Sequence, residues 1–177
     1  MLWKHMFSEM ASTNNEFNES SSDHKMPNAV LARASRQTGA YAAFTAYLDH
    51  TVQHLGIGQT IIFNRIHLNM GNAYNQFTGI FTCPVDGMYV FSFFICNTHT
   101  LQVVAELLMD NTKILHAIAD AEGQTSGFAE VQGGNLAVVY CGQGSGVRVT
   151  NVRWAGGQVL GDDATSRFSS FSGFLLR

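Results

Sequence analysis

The stretch FTCPVDGMYVFSFFI, residues 81–95, carries more structural information than any other part of this chain. Its second half places Tyr89, Phe91, Phe93 and Ile95 at strict two-residue spacing. Side chains two apart on an extended strand share a face, so these four form one apolar surface. The alternate residues, Met88, Val90, Ser92 and Phe94, are mostly apolar as well. A strand with one face in water does not carry such a set, and the expectation is a central strand over 88–97 that is covered on both sides. Pro84 ends pairing just ahead of it, and Asp86-Gly87 reads as the turn that admits it.

Outward from this segment the chain reads as short apolar runs divided by Gly, Asn and Asp. Strands are expected over 40–47, 60–63, 66–69, 79–82, 101–109, 113–119, 128–131, 135–141, 147–153 and 171–176. Asp110-Asn111 separates two of them and predicts a tight hairpin. Many short strands at this spacing indicate an antiparallel sandwich, without choosing among sandwich types. Residues 1–38 are polar and aperiodic, rich in Ser, Asn and Glu, and read as a flexible tail with a short helical neck at 29–36; the folded domain is expected over 39–177.

Composition narrows the partners. Hydrophobic residues make up 46% of the 177, enough for a core, whereas charged residues make up only 13%. The formal charge of −3 comes with no Lys/Arg run, which argues against nucleic acid and acidic membranes as main partners. A weakly charged chain with doubly apolar strands suggests that some apolar surface is buried between subunits. No apolar stretch approaches the length of a transmembrane helix. The opening MLWKHMFSEMAS lacks the uninterrupted apolar run of an export signal. Asn18-Glu19-Ser20 has the form of a glycosylation acceptor.

Cys83, Cys96 and Cys141 permit one disulfide at most, in three pairings. Cys96 and Cys141 fall on expected strands, where a reduced thiol packs as a small hydrophobe, and that is the expectation for both.

The wider spacing of Phe63, Asn69, Tyr74, Phe81, Gly87, Tyr89, Phe91 and Phe93 resembles the signature of the globular head domain of complement component 1q. The flanking segments FTAYL at 44–48 and FSGFLL at 171–176 are similar to the same family, so the resemblance spans roughly residues 40–177. It implies an all-β, ten-stranded antiparallel jelly roll of the tumour-necrosis-factor type that assembles as a homotrimer and is secreted. The chain has no Gly-X-Y repeat, so it resembles the stand-alone members without a collagen stalk. Those members imply a non-enzymatic, lectin-like module that recognises carbohydrate or microbial surface molecules in innate immunity. A cytokine-like or extracellular structural trimer with a protein receptor is the alternative. The eight signature positions themselves are assigned to structure, with Gly87 as a turn glycine and Asn69 with Tyr74 bracing a loop.

For chemistry the chain offers few candidates. There is no Gly-x-Ser-x-Gly elbow, phosphate loop or dinucleotide fingerprint; GQGSG at 142–146 joins two expected strands and reads as a turn. His50 and His54 stand four apart, a zinc spacing only if the segment is helical. The segment RVTNVRWAGGQVLGDD, 148–163, is the ligand-binding candidate. Arg148 and Thr150 alternate with Val147 and Val149, so the polar pair is expected to point outward and the valines to the core, while Arg153 and Trp154 enter a Gly-rich loop that closes on Asp162 and Asp163. Trp beside Arg suits a sugar ring or an anion. Asp162 and Asp163 are the calcium candidates, although two carboxylates need further oxygens to complete the shell, and no cofactor is required.

Overall fold

The computed structural model describes residues 41–98, 102–121, 130–153, 155–161 and 166–176. The expected tail and neck, the Asn18-Glu19-Ser20 triplet, Trp154, Asp162 and Asp163 lie outside these residues. Among the described residues there are strands and no helix. In chain order they are β1 (Ala43–Tyr47), β2 (Val52–Leu55), β3 (Arg65–Met70), β4 (Tyr74–Asn75), β5 (Ile80–Thr82), β6 (Gly87–Thr98), β7 (Val103–Met109), β8 (Thr112–Ala119), β9 (Glu130–Cys141), β10 (Gly146–Asn151), β11 (Gly157–Val159) and β12 (Ser170–Leu175). Sheet one runs β3-β1-β12-β6-β9 and sheet two β4-β5-β10-β7-β8, while β11 and β2 form a small ribbon. Every pairing is antiparallel. The two five-stranded sheets are the jelly-roll sandwich that the signature implies.

Alternation along the strands builds the core. Tyr89, Phe91, Phe93 and Ile95 are all fully buried, as are Val147 and Val149 on the facing sheet. Phe44 of β1 stacks on Tyr74 at 4.8 Å and on Phe81 at 4.9 Å between ring centroids, and meets Phe171 edge-on at 4.8 Å. Phe81 in turn meets Phe91 edge-on at 5.3 Å. Rings from both sheets therefore interlock, in the offset and edge arrangements that aromatic quadrupoles prefer. Gly173 of β12 faces this cluster. A Cβ there would lie 2.4 Å from Phe91 Cδ1 and 2.9 Å from Phe44 Cε1, so the glycine supplies the space that the two rings occupy.

The signature polar residues brace the approach to the core. Asn69 Nδ2 donates to the Tyr74 carbonyl at 2.8 Å, and the Tyr74 amide donates back to Asn69 Oδ1 at 3.1 Å. The Tyr74 hydroxyl donates to the Phe63 carbonyl at 3.0 Å. Burial in the core pushes this phenol well above its ordinary range.

Four expectations need correction. The outer face of β6 is not covered within the chain: Met88 and Phe94 are each 42% exposed, because sheet one has a partner sheet on one side only. Cys141 is not a reduced thiol but is joined to Cys83, whereas Cys96 is free and buried. The disulfide ties the segment entering β6 to the end of β9 across a separation of 58 residues. Gly87 is not a left-handed turn residue but the first residue of β6, and a Cβ there would meet only the movable end of Leu175, 2.7 Å from its Cδ1. Strands are also redrawn: residues 130–131 of the expected run 128–131 join the expected run 135–141 in the continuous β9, while 128–129 lie outside the described residues, and 60–63 pairs through a single bridge, Thr60 to Thr150. The short β2, β4 and β11 went unseen because two to four residues carry too little alternation to register. The hairpin at Asp110-Asn111 joins β7 to β8 with Asp110 at φ 53°, and GQGSG turns between β9 and β10.

Two opposite perturbations test the core. Phe91→Ala is expected to cost about 3–5 kcal/mol by leaving a cavity. Gly173→Ala is expected to cost about 1–3 kcal/mol by forcing a methyl into the rings. Both are read by chemical denaturation, and near-wild-type stability in either variant would show that the ring cluster is misplaced.

Candidate functional site

At the end of the sandwich where β7 begins and β8 and β10 finish, Arg153 leaves the last residues of β10. Its Nη1 donates to Gln102 Oε1 at 3.2 Å, and Gln102 Nε2 donates to Asp120 Oδ2 at 2.8 Å. Three chain segments are thereby held together by one polar relay. Arg148 is not part of it. That residue sits opposite Leu108 on the outer face of sheet two, five residues back, or roughly 15 Å of extended chain. The two arginines of the sequence candidate therefore serve different surfaces, and Trp154, Asp162 and Asp163 fall outside the described residues.

Between Arg148 and the relay lies a charged row that the sequence did not single out. Register places Thr150, Glu106 and His116 side by side on β10, β7 and β8. Glu106 is only 2% exposed; its Oε1 lies 3.0 Å from His116 Nε2 and 3.6 Å from Lys113 Nζ, ionic contacts rather than aligned hydrogen bonds. The buried carboxylate is thus held by the exposed Lys113 ammonium and the half-exposed His116 ring. Strand alternation assigns Glu106 to a face, but only cross-strand pairing reveals its partners.

A third cluster forms where β1 hands over to the following loop. Asp49 accepts from Asn64 Nδ2 at 2.6 Å, from His50 Nδ1 at 2.7 Å and from Arg65 Nε. The hydrogen bond from His50, followed by those from Asn64 and Arg65, holds its carboxyl well below the usual carboxylate range. His50 is therefore engaged with Asp49, and His54 lies on β2, an extended segment that removes the helical premise of the zinc spacing. Among the described residues no group of three or more His, Cys, Asp or Glu side chains is placed to hold a metal.

Sheet one's outer face is different in kind. Phe174, Val90 and Val138 stand in one cross-strand row, and Met88 faces Tyr140 in the next. Phe174, Val138 and Tyr140 are 46%, 53% and 62% exposed, and Leu136 is exposed beside them. A hydroxyl row crosses this surface, where Ser172 Oγ donates to Thr45 Oγ1 at 3.1 Å and Ser92 pairs with Ser172. So contiguous an apolar face on a sheet that is otherwise well packed marks an interaction surface.

Comparison with known proteins places these features. The C1q domain family model matches residues 43–176. The heavy metal-binding protein HIP of Mytilus edulis is 30% identical over 143 residues, covering 77% of this chain and 61% of that protein. Complement C1q tumor necrosis factor-related protein 3 of Mus musculus is 34% identical over 116 residues, covering 66% of this chain and 44% of its own length. The chain thus spans between two fifths and two thirds of the length of these relatives. The globular domain of zebrafish complement 1qA protein superposes with a TM-score of 0.61 at 20% identity, over 77% of this chain and 98% of that one. The Eiger TNF of S. frugiperda superposes with a TM-score of 0.63 at 11% identity, over 78% and 94%. These last two likenesses speak to fold.

Asp49 gives a pH prediction. A carboxyl whose folded pKa is depressed contributes stability above its unfolded value, near ~3.9, and loses it as pH falls through the folded value. The melting temperature of Asp49→Asn is expected to lie below wild type by a constant gap between about pH 7 and 5, a gap that closes in stronger acid. A gap that does not change with pH would show that the charge of Asp49 is not what matters.

Proposed function

Because this chain belongs to the C1q domain family and exposes an apolar face on sheet one, we propose that it is a secreted, non-enzymatic homotrimer that recognises carbohydrate or microbial surface molecules. The apolar outer face, from Met88 and Val138 to Tyr140 and Phe174, is the observation that carries the reading. Covering it by neighbouring copies removes the cost of leaving it in water, about 25 cal/mol for each Å² buried. Recognition then belongs to the ends of the sandwich that assembly leaves open, where the Arg153–Gln102–Asp120 relay fixes the residue that precedes Trp154 in the chain. Three copies of a weak site raise avidity by about 10²–10⁴-fold on a repetitive surface. Calcium, through Asp162 and Asp163, is the metal that such a loop would admit. The disulfide Cys83–Cys141 fits an oxidising compartment, in keeping with secretion.

A second reading is a cytokine-like or extracellular structural trimer that binds a protein receptor. It is favoured by the likeness to a tumor necrosis factor-related protein and to a TNF fold.

One experiment separates them. Sedimentation of the wild type is expected to give a trimer, and Tyr140→Glu with Val138→Asp a folded monomer. A glycan and microbial-surface screen of the trimer, run with calcium and with chelator, is expected to show selective binding that Arg153→Gln with Trp154→Ala abolishes. A trimer blank on every glycan that binds a receptor ectodomain would favour the second reading, and a monomeric wild type would overturn both.

A further inference from the structure

Two tight turns, 56–59 and 75–79, flank residues 60–62 at one edge of sheet two, and each holds up an apolar side chain. Phe77 is 80% exposed, more than any other large hydrophobic residue among the described residues, and Ile57 is 65% exposed. A glycine brings the second turn in. Gly79 has φ 72°, and a Cβ there would lie 3.0 Å from Thr60 Cγ2 and 3.2 Å from Ile62 Cα. Ile61 and Phe63 are buried in the core, so Ile62 between them faces outward and is exposed. Thr60 pairs with Thr150, and that antiparallel register, carried on by two residues, sets Ile62 beside Arg148. The edge belongs to sheet two, away from the sheet one surface that assembly covers.

Both turns are built from within. Asn75 Oδ1 accepts the amides of Phe77 at 2.9 Å and Thr78 at 3.3 Å, and the Asn75 carbonyl accepts the amide of Gly79 at 2.8 Å. In the other turn the Gln59 amide donates to the Gly56 carbonyl at 3.2 Å, while the Gly56 amide donates to Gln59 Oε1 at 2.7 Å. The Gly58 amide donates to the Asn151 carbonyl at 2.6 Å. These amides are satisfied inside the chain, as a backbone entering an apolar phase requires. Residues 55–64 and 68–85 contain no Asp, Glu, Lys, Arg or His, so burying the tips strips no charged side chain of these segments of water.

The shape and the border of this edge favour one partner. Its apolar side chains project from separate turns, so a partner has to yield around them, which a fluid lipid interface does without being cut to fit. Arg148 borders the patch, and an arginine lays its stem on apolar surface while its guanidinium meets a phosphate. We infer that the turns 56–59 and 75–79 are a membrane-docking edge that inserts Phe77, Ile57 and Ile62 at the boundary between headgroups and acyl chains of a phospholipid bilayer. Binding of this kind scales with the apolar area inserted. Zwitterionic lipid is enough for it, because a chain of net charge −3 without a basic run gains little from an anionic surface.

The test uses the full chain with vesicles of phosphatidylcholine, alone or with phosphatidylserine, in cosedimentation titrations at low and moderate salt. The wild type is expected to partition onto phosphatidylcholine vesicles with an affinity that salt leaves nearly unchanged. Phe77→Ser is expected to lower the partition coefficient by about tenfold, and Ile57→Ser by about threefold. Both variants are expected to melt and sediment like wild type without lipid, because both side chains lie in water in the free protein. Phe77→Trp adds a positional readout. Its emission is expected to move to shorter wavelength with vesicles, and to be quenched by lipid brominated in the acyl chain, beyond the change that Trp3 and Trp154 give in wild type. The inference is overturned if the chain ignores phosphatidylcholine, if Phe77→Ser partitions as well as wild type, or if Phe77→Trp shows no additional shift. Binding confined to phosphatidylserine vesicles and lost as salt rises overturns insertion in favour of charge attraction. Capture of a protein that Phe77→Ser abolishes, with vesicles left unbound, overturns lipid as the partner.

Discussion

The structure depends on one interlocking set of rings. Phe44 and Phe171 from sheet one and Tyr74 and Phe81 from sheet two meet within 4.8–6.1 Å, and Phe91 closes the set from the centre of β6. Each fully buried large side chain contributes on the order of 1.5–3 kcal/mol, and well-oriented aromatic pairs add about 0.5–1.5 kcal/mol. A cluster of this kind fixes both the spacing and the stagger of the two sheets. Gly173 follows from it: the strand between β1 and β6 has to surrender its side chain where the rings of both neighbours need room. A similar demand applies at the seam between the sheets, where a Cβ on Gly133 would lie 2.0 Å from the Ile118 carbonyl oxygen.

With the interior so settled, the exterior is free to differentiate. Sheet one turns an apolar, nearly uncharged surface outward, crossed by the hydroxyls of Thr45, Ser172 and Ser92. Sheet two turns outward the buried Glu106 with His116 and Lys113, and Arg148 beside them. The loop end carries the Arg153 relay, and the β1–β3 corner carries Arg167 over the Tyr47 ring. Apolar and polar groups thus collect on separate surfaces of one scaffold.

The cysteines show how the same scaffold sorts chemically identical groups. Cys83 and Cys141 meet because the turn before β6 and the end of β9 are neighbours, with Gly87 paired to Cys141. Cys96 lies nine residues further along β6, buried, and its thiol is pushed above the ordinary range, chiefly by that burial. A thiol in that state is a weak nucleophile and serves as packing.

What the sequence determined by itself is the part governed by local period. Two-residue alternation in 88–97 and 147–151 assigned the inward residues correctly, and the turn chemistry of Asp110-Asn111 located its hairpin, because strand geometry and turn conformation act over a few neighbouring residues. The spacing of Phe63 to Phe93 carried the family and with it the jelly roll. Only the tertiary structure decided the rest. Whether the second face of β6 is covered depends on what lies beyond sheet one, and the pairing of Cys83 with Cys141 depends on a contact across 58 residues. The partners of Glu106 depend on register between β10, β7 and β8, strands that no local window brings together. Register is set by the global fit of the core, and no window of sequence contains it.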